Sequence, residues 1–318
     1  MTRTSDHDPA LAGEPSPGST GRSISAPPHG SPRRARSKAA RRVQAALAAQ
    51  RDELVRYGAV AGIDADPKTV HKMRVAIRRS RAVLHAAGPA LDRSSTDRVR
   101  EELSWLAEHL APARDADVLI ANVTSELVSF GPDAIRGRSL VASLDQRRRT
   151  AHDRVRDAVD SERFQRLLAA LEPEATERWF VGAGTTVCAM AGRELRAARK
   201  HARRMADPPS DADLHRLRIL VKRARYAAEL LGASNKRVAR FLDAAAALQA
   251  LLGEHQDAVV AGRTLRDVAT DADRIDAALV AGRLIERDEL RCSRVRGEVP
   301  KAWKRFHRSG RRALRRRS

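Results

Sequence analysis

The chain has 318 residues, of which 61 are Lys or Arg and 40 are Asp or Glu, giving a formal net charge of +21. This excess of positive charge indicates a polyanionic partner, with nucleic acid, polyphosphate and an anionic membrane surface as candidates. No apolar stretch approaches the roughly 20 residues of a membrane-spanning helix, and neither an apolar leader nor a paired cysteine spacing occurs, so we expect a soluble, cytoplasmic protein.

The predicted elements begin with a tail and continue as helices. Residues 1–36 are rich in Pro, Ser, Gly and charge, a composition that predicts a disordered basic tail. From about residue 38 onward, apolar residues recur every three or four positions, which predicts an all-α domain over residues 37–315. Helices are predicted near residues 38–61, 67–87, 94–110, 114–129, 133–158, 161–172, 177–206, 211–231, 234–252, 255–270, 271–296 and 299–315.

Within this domain one basic segment occurs twice. Residues 70–81 read VHKMRVAIRRSR and residues 214–225 read LHRLRILVKRAR, at an offset of 144. Both charged and apolar positions agree between the copies. Such self-similarity indicates a chain duplication, and we place its two halves at about 37–175 and 176–315.

Each copy follows a recognisable helix start. Asp66 is a good N-cap residue with Pro67 at the first helical position. Ser210 occupies the matching cap position, and Asp213 three residues later completes the pattern of a capping box. The two basic segments are therefore predicted to lie in the first turns of two similar helices.

A second, weaker match follows the first. LAPARDADV at residues 110–118 aligns with LGEHQDAVV at residues 252–260, which pairs Asp115 with Asp257. These two acids and Asp117 are interpreted as helix caps rather than metal ligands, because an acid at a helix start accepts from free backbone N–H groups. They could also hold a basic side chain in place. No metal or cofactor is predicted.

The basic residues of each copy form one stripe, about three turns long, at 100° per residue. The first stripe is His71, Arg74, Arg78 and Arg81 with Lys72 and Arg79 on its flank, and the second is His215, Arg218, Lys222 and Arg225 with Arg216 and Arg223. Residues 67–82 and 214–228 contain no acid. Like charges at this spacing destabilise a helix, so two acid-free stripes favour an anion-binding surface over a solvated face. The histidines are interpreted as phosphate donors, because neighbouring arginines disfavour their charged form until an anion binds.

Further basic residues outside the stripes are candidate phosphate contacts. They are Arg193, Arg196, Lys200 and Arg203 before the second copy, and Lys304 on the last predicted helix. For these residues a solvated basic face is an equally good interpretation.

Together these segments resemble the CHAD domain, the conserved histidine α-helical domain. The resemblance rests on the two basic segments, the LAPARDADV and LGEHQDAVV pair and the closing PKAWKRF, and covers about residues 38–312. It implies two helical bundles of about four main helices each, related by a pseudo-twofold axis around a basic central groove or pore. It also implies binding of inorganic polyphosphate and, for some members, association with storage granules. Ser80, Pro112 and Ala113 depart from the family pattern.

Three functions can be compared. Polyphosphate requires only a dense run of phosphate donors, and its binding should weaken steeply with salt. Binders of single-stranded nucleic acid usually add aromatic platforms, but Tyr226 is the aromatic residue nearest the stripes, so we expect weak, non-specific nucleic-acid binding at low salt. A polyphosphate-acting phosphotransferase or hydrolase is disfavoured, because neither a P-loop nor clustered acids for Mg²⁺ accompany the stripes. We therefore expect a non-catalytic polyphosphate-binding protein, with a granule-associated protein as an alternative.

Overall fold

The computed structural model describes residues 38–61, 66–181, 185–232, 235–270 and 275–315. Within these ranges the chain is helical, so the all-α prediction is confirmed. The α helices are α1 (Lys38–Ala61), α2 (Pro67–Ala87), α3 (Arg93–Val128), α4 (Arg138–Val159), α5 (Glu162–Ala170), α6 (Pro173–Glu177), α7 (Val187–Ala202), α8 (Asp211–Glu229), α9 (Lys236–Thr270) and α10 (Ile275–Ala313), and short 3-10 helices span Gly88–Ala90 and Gly131–Gly137. The predicted tail, residues 1–36, lies outside the described residues. Of the described helices, none is long and apolar enough to cross a membrane.

The starts of α2 and α8 agree with the predicted caps. The Asp66 carboxylate accepts a hydrogen bond from the backbone N–H of Lys68 at 3.0 Å, and Pro67 occupies the first turn. Ser210 and Asp213 form a reciprocal capping box at the start of α8. Because both caps satisfy free N–H groups, they set where each basic segment enters its helix.

Three predicted helix breaks are wrong. The helices α3, α9 and α10 continue through residues 111–113, 253–254 and 297–298, giving lengths of 36, 35 and 39 residues. A proline inside a helix removes a backbone hydrogen bond and costs about 3 kcal/mol. In α3, however, Leu110 and Ala113 are fully buried beside Pro112, so tertiary packing keeps the helix continuous.

Two predicted helix starts also differ from the structure. The segment predicted near 133–158 begins as the 3-10 helix, and the one predicted near 177–206 enters α7 only at Val187. At that point the Thr186 hydroxyl accepts a hydrogen bond from the backbone N–H of Ala189 at 3.2 Å. The described residues 178–181 and 185–186 thus lie outside the helix predicted for them, and the side-chain cap determines where α7 starts.

The apolar sides of α2 and α8 lie in one shared core. Met73 and Ile77 of α2 and Leu217 and Val221 of α8 are each at most 1% exposed and belong to the same buried cluster. A second, smaller cluster joins the later parts of α3 and α9 to α4 and the start of α10. With their apolar sides committed to the core, α2 and α8 turn their basic sides away from it.

The aromatic core near the end of α10 yields a stability prediction. Phe306 is fully buried, and its ring centroid lies 5.3 Å from that of Phe241 and 5.4 Å from that of Trp303. Phe306→Ala should lower the free energy of unfolding by about 3–5 kcal/mol, because a buried ring is lost and a cavity remains. Denaturant titration followed by circular dichroism measures this loss. The control Leu290→Ala removes a side chain that is 66% exposed and should cost less than about 0.5 kcal/mol; equal effects of the two changes would contradict the packing.

Candidate anion-binding site

The helices α2, α3, α8 and α9 line a cavity of about 400 Å³, named here the central cavity. Six predicted binding residues face it, three from each copy of the repeat: His71, Arg74, Arg78, His215, Arg218 and Lys222. Its other polar lining residues are Arg114, Asp115, Asn122, Gln249, Glu254, Gln256 and Asp257. Side chains at equivalent repeat positions, distant in sequence, therefore meet in one site.

The interpretation of Asp115 and Asp257 as helix caps is wrong, because both lie inside the continuous helices α3 and α9. Each lines the central cavity together with an arginine on which its charge acts. Burial lowers the pKa of Arg74 and of Arg218, while Asp115 acts in the opposite direction on Arg74 and Asp257 does so on Arg218. The two acids therefore stabilise the charged guanidinium groups and help to hold them in the cavity.

Among the cations of the cavity, Lys222 has the most strongly shifted pKa. Burial, followed by repulsion from Arg218 and other arginines of the two stripes, lowers the pKa of Lys222 to about 6. Glu254, a third acid of the lining, is already paired with Arg294 and lies near Arg291. The described acids of the cavity thus leave its positive charge only partly neutralised, which is the electrostatic condition of an anion site.

The two predicted histidines have different neighbours. Burial, then the charges of Arg114 and Arg78, lowers the pKa of His71. His215 Nδ1 donates to Gln256 Oε1 at 2.6 Å. In the aligned segments Arg114 and Gln256 occupy matching positions. A neutral imidazole has one N–H donor, so His71 can donate to a bound oxyanion, whereas the Nδ1–H of His215 is already donated to Gln256.

Tyr226 organises the point where α2 and α8 meet. Its hydroxyl, on a residue 3% exposed, accepts from Arg78 Nε at 2.9 Å. The guanidinium carbons of Arg79 and Arg225 lie 5.6 and 6.0 Å from its ring centroid. Glu229 pairs with Arg225 at 3.1 Å and with Arg79 at 3.5 Å. The predicted binding residues Arg79 and Arg225 are therefore held by the fold and lie outside the lining of the central cavity.

A second group of predicted residues surrounds the C-terminal end of α2. Arg223 Nη1 donates to His85 Nε2 at 3.3 Å, and Arg193 Nη2 donates to the carbonyl oxygen of Ala86 at 2.7 Å. Burial, then Arg223 and other nearby arginines, lowers the pKa of His85 to about 4. Exposed predicted residues that also lie outside the lining of the central cavity are Lys72, Arg81, Arg196, Lys200, Arg203, Arg216 and Lys304.

Several polar residues of the lining were not predicted from the sequence. They are Arg114, Asn122, Gln249, Glu254 and Gln256, all on α3 or α9. The alignment of residues 110–118 with 252–260 was the available signal, but the predicted helix breaks concealed which side chains face inward. Asp117 was also expected to cap a helix, but it is buried and its Oδ1 lies 2.9 Å from His152 Nε2. In the described part of the chain, no group of three His, Cys, Asp or Glu side chains is arranged to hold a metal ion.

Sequence comparison identifies related chains. The family model described as CHAD domain matches residues 33–266. The uncharacterized protein Rv2226 of Mycobacterium tuberculosis is 31% identical over 284 residues, which cover 85% of this chain and 54% of that protein. The uncharacterized protein MT2285 from a second strain of that species matches to the same extent. The chain therefore spans about half the length of the curated relatives that it matches.

Two solved structures share the fold. The CHAD domain of the plant Ricinus communis has a TM-score of 0.62 and 26% sequence identity, with 88% of this chain and 92% of that chain covered. PptA from Streptomyces chartreusis has a TM-score of 0.68 and 20% identity, with 84% of this chain and 99% of that chain covered. The likeness to PptA shows the fold alone.

The burial of Lys222 yields a prediction about stability and pH. Its pKa falls from 10.5 to about 6 on folding, so folding releases a proton between these values and stability rises with pH there. Lys222→Met removes the buried amine and should stabilise the unliganded protein at pH 7 by about 1–3 kcal/mol. The gain should shrink toward pH 10, where the lysine of the unfolded chain is also losing its proton.

Denaturant titrations at pH 7 and pH 9.5 measure both effects. Lys72→Met, at an exposed position of the other basic segment, in α2, is the matched control and should shift neither curve by more than about 0.5 kcal/mol. A loss of stability for Lys222→Met, equal at both pH values, would show that the Lys222 amine is neither desolvated nor repelled by its neighbours.

Proposed function

Since this chain belongs to the CHAD domain family, we propose that it binds inorganic polyphosphate in the central cavity, through basic side chains from both copies of its repeat. One observation carries the proposal. Arg74 and Arg78 of α2 face the same partly buried cavity as Arg218 and Lys222 of α8, with too few free acids to neutralise them. A chain of phosphates supplies the missing negative charge.

The chemistry of the lining favours polyphosphate over a nucleic acid. Guanidinium groups bind phosphate oxygens through paired N–H donors, and the amides of Asn122 and Gln249 add uncharged donors. Among the described residues of the lining there is no Phe, Tyr or Trp on which a base could stack. The lining therefore favours a bare chain of phosphates over a polymer that carries bases.

The duplicated architecture expected from the family is part of this proposal. Arg79 of α2 pairs with Glu229 of α8 at 3.5 Å, and Arg223 of α8 lies 3.3 Å from His85 of α2. In the repeat alignment, position 79 corresponds to 223 and position 85 to 229. Reciprocal contacts of this kind arise when two similar helices cross at a two-fold axis. They support two related halves, divided near residue 175, with the basic groove between them.

We propose binding without turnover. Phosphoryl transfer usually depends on acids that hold Mg²⁺, and among the described residues no group of three His, Cys, Asp or Glu side chains is arranged to hold a metal ion. Association with polyphosphate granules would follow from the same binding. If the wild type released phosphate from polyphosphate and His71→Ala did not, the protein would be an enzyme and this proposal would be wrong.

Titration with polyphosphate of medium chain length tests the proposed site. A variant with Arg74, Arg78, Arg218 and Lys222 all changed to Ala should lose at least about a hundredfold in affinity, because several charge-assisted contacts are removed together. Its dependence on salt should also flatten, since fewer counterions are released on binding. Calorimetric titration at two salt concentrations measures both quantities, and circular dichroism confirms that the helices remain.

The control carries the same change of net charge elsewhere on the surface. Arg93, Arg98, Arg138 and Arg178 are exposed and lie outside the lining of the central cavity, and their joint change to Ala should alter affinity by less than about threefold. Equal binding by the cavity variant and the wild type would reject the site. Equal losses in the cavity variant and the control would show that net charge alone attracts the polymer.

A further inference from the structure

The end of α10 carries a second concentration of positive charge, apart from the central cavity. Its basic residues fall within about 100° of one another around the helix axis. They are Lys301, Lys304, Arg305, Arg308 and Arg312. With Arg315, and with Arg237 and Arg240 of α9, they line a cavity of about 660 Å³. Asp243 is the single acid that the structure places in this lining.

Ion pairing changes along α10. In its middle, Arg291 pairs with Asp288 at 2.6 Å and Arg294 pairs with Glu298 at 2.7 Å. Residues 299–315 contain no acid. In the described part of the chain, no acidic side chain lies within ion-pair distance of the basic residues that line this cavity. The repulsion among these charges is therefore relieved only by solvent or by an external anion.

An aromatic pair distinguishes this surface from the central cavity. The rings of Trp303 and His307 stack with their centroids 5.7 Å apart and their planes at 13°. They line a hollow of about 400 Å³ together with Arg311 and four basic residues. The four residues are Lys304, Arg308, Arg312 and Arg315, which also line the larger cavity. We call them the basic ridge. Cations and an aromatic surface thus adjoin each other along one helix.

The end of α7 adds to the same surface. Burial, then Arg199, Arg311 and Arg203, lowers the pKa of His307. Burial and these arginines disfavour the charged form of the imidazole stacked on Trp303, and the last turn of α7 lies close enough for its charges to act there. Arg203, a predicted phosphate contact that lies outside the central cavity, is one of the charges that act on His307.

We infer that this face of α10 binds single-stranded nucleic acid, with phosphates along the basic ridge and a base against the Trp303–His307 pair. A stacking surface beside a row of cations is the combination by which proteins hold single strands without reading their sequence. Polyphosphate has no base, so it would gain nothing from the aromatic pair. About 20 Å of α9 separates Arg240, in this lining, from Gly253 in the central cavity, at 1.5 Å per residue. The inference does not depend on the proposed binding of polyphosphate.

Binding of a fluorescein-labelled oligothymidylate to the full chain, followed by anisotropy over a range of salt concentrations, tests the inference. Changing Lys304, Arg308 and Arg312 to Gln should weaken binding by about tenfold or more and reduce the salt slope by about 2, because each phosphate contact contributes roughly 0.7. The matched control changes Arg93, Arg98 and Arg178 to Gln, with the same loss of charge, and should leave the slope unchanged. The quadruple Ala variant of the central cavity should bind the oligonucleotide like the wild type.

Tryptophan fluorescence separates nucleic acid from a plain polyanion. The oligonucleotide should quench part of the emission of the wild type, and Trp303→Phe should remove the quenched part, whereas polyphosphate should quench neither protein. Wild-type affinity for the oligonucleotide in the Lys304, Arg308 and Arg312 variant would overturn the inference. So would equal quenching by polyphosphate, or quenching that persists in Trp303→Phe.

Discussion

Like-charged side chains are held in the central cavity closer together, and with less water, than their mutual repulsion favours. Burial and neighbouring arginines lower the pKa of Lys222 in this way. Burial also lowers the pKa of Arg218, and Asp257 acts against that shift. Such an arrangement persists only when the surrounding structure keeps it in place. Apolar residues in place of these buried charged groups would cost the folded protein no stability. In the proposed function, a bound anion would relieve this repulsion.

The rest of the fold supplies what this condition requires. The N-caps set the starts of α2 and α8, and the shared core fixes which sides of those helices face away from it. Tyr226 accepts from Arg78 and lies beneath neighbouring guanidinium groups, and Glu229 pairs with Arg79 and Arg225, two cations outside the cavity lining. Side chains aimed in advance lose little freedom on binding, which is how preorganisation raises affinity.

The sequence predicts well what depends on neighbouring residues. Asp66, Ser210 and the spacing of the basic segments identify α2 and α8, and three residues from each stripe do meet in one cavity. Prediction from the sequence fails where contacts between distant residues determine the structure. Pro112 suggests a helix break, but buried neighbours on either side keep α3 continuous. That error hid the inward direction of Arg114, and on α9 the same kind of error hid Gln256. No local pattern could show that Glu229 would restrain Arg79, a contact formed between residues 150 positions apart.

We expect phosphates to replace the negative charge missing between α2 and α8, and a crystal structure of the protein with polyphosphate of medium length checks this expectation. It should show continuous density for a phosphate chain in the central cavity, with oxygens within hydrogen-bond distance of Arg74 and Arg218. Density confined to other basic surfaces, such as the end of α10, with the central cavity filled only by solvent, would contradict it.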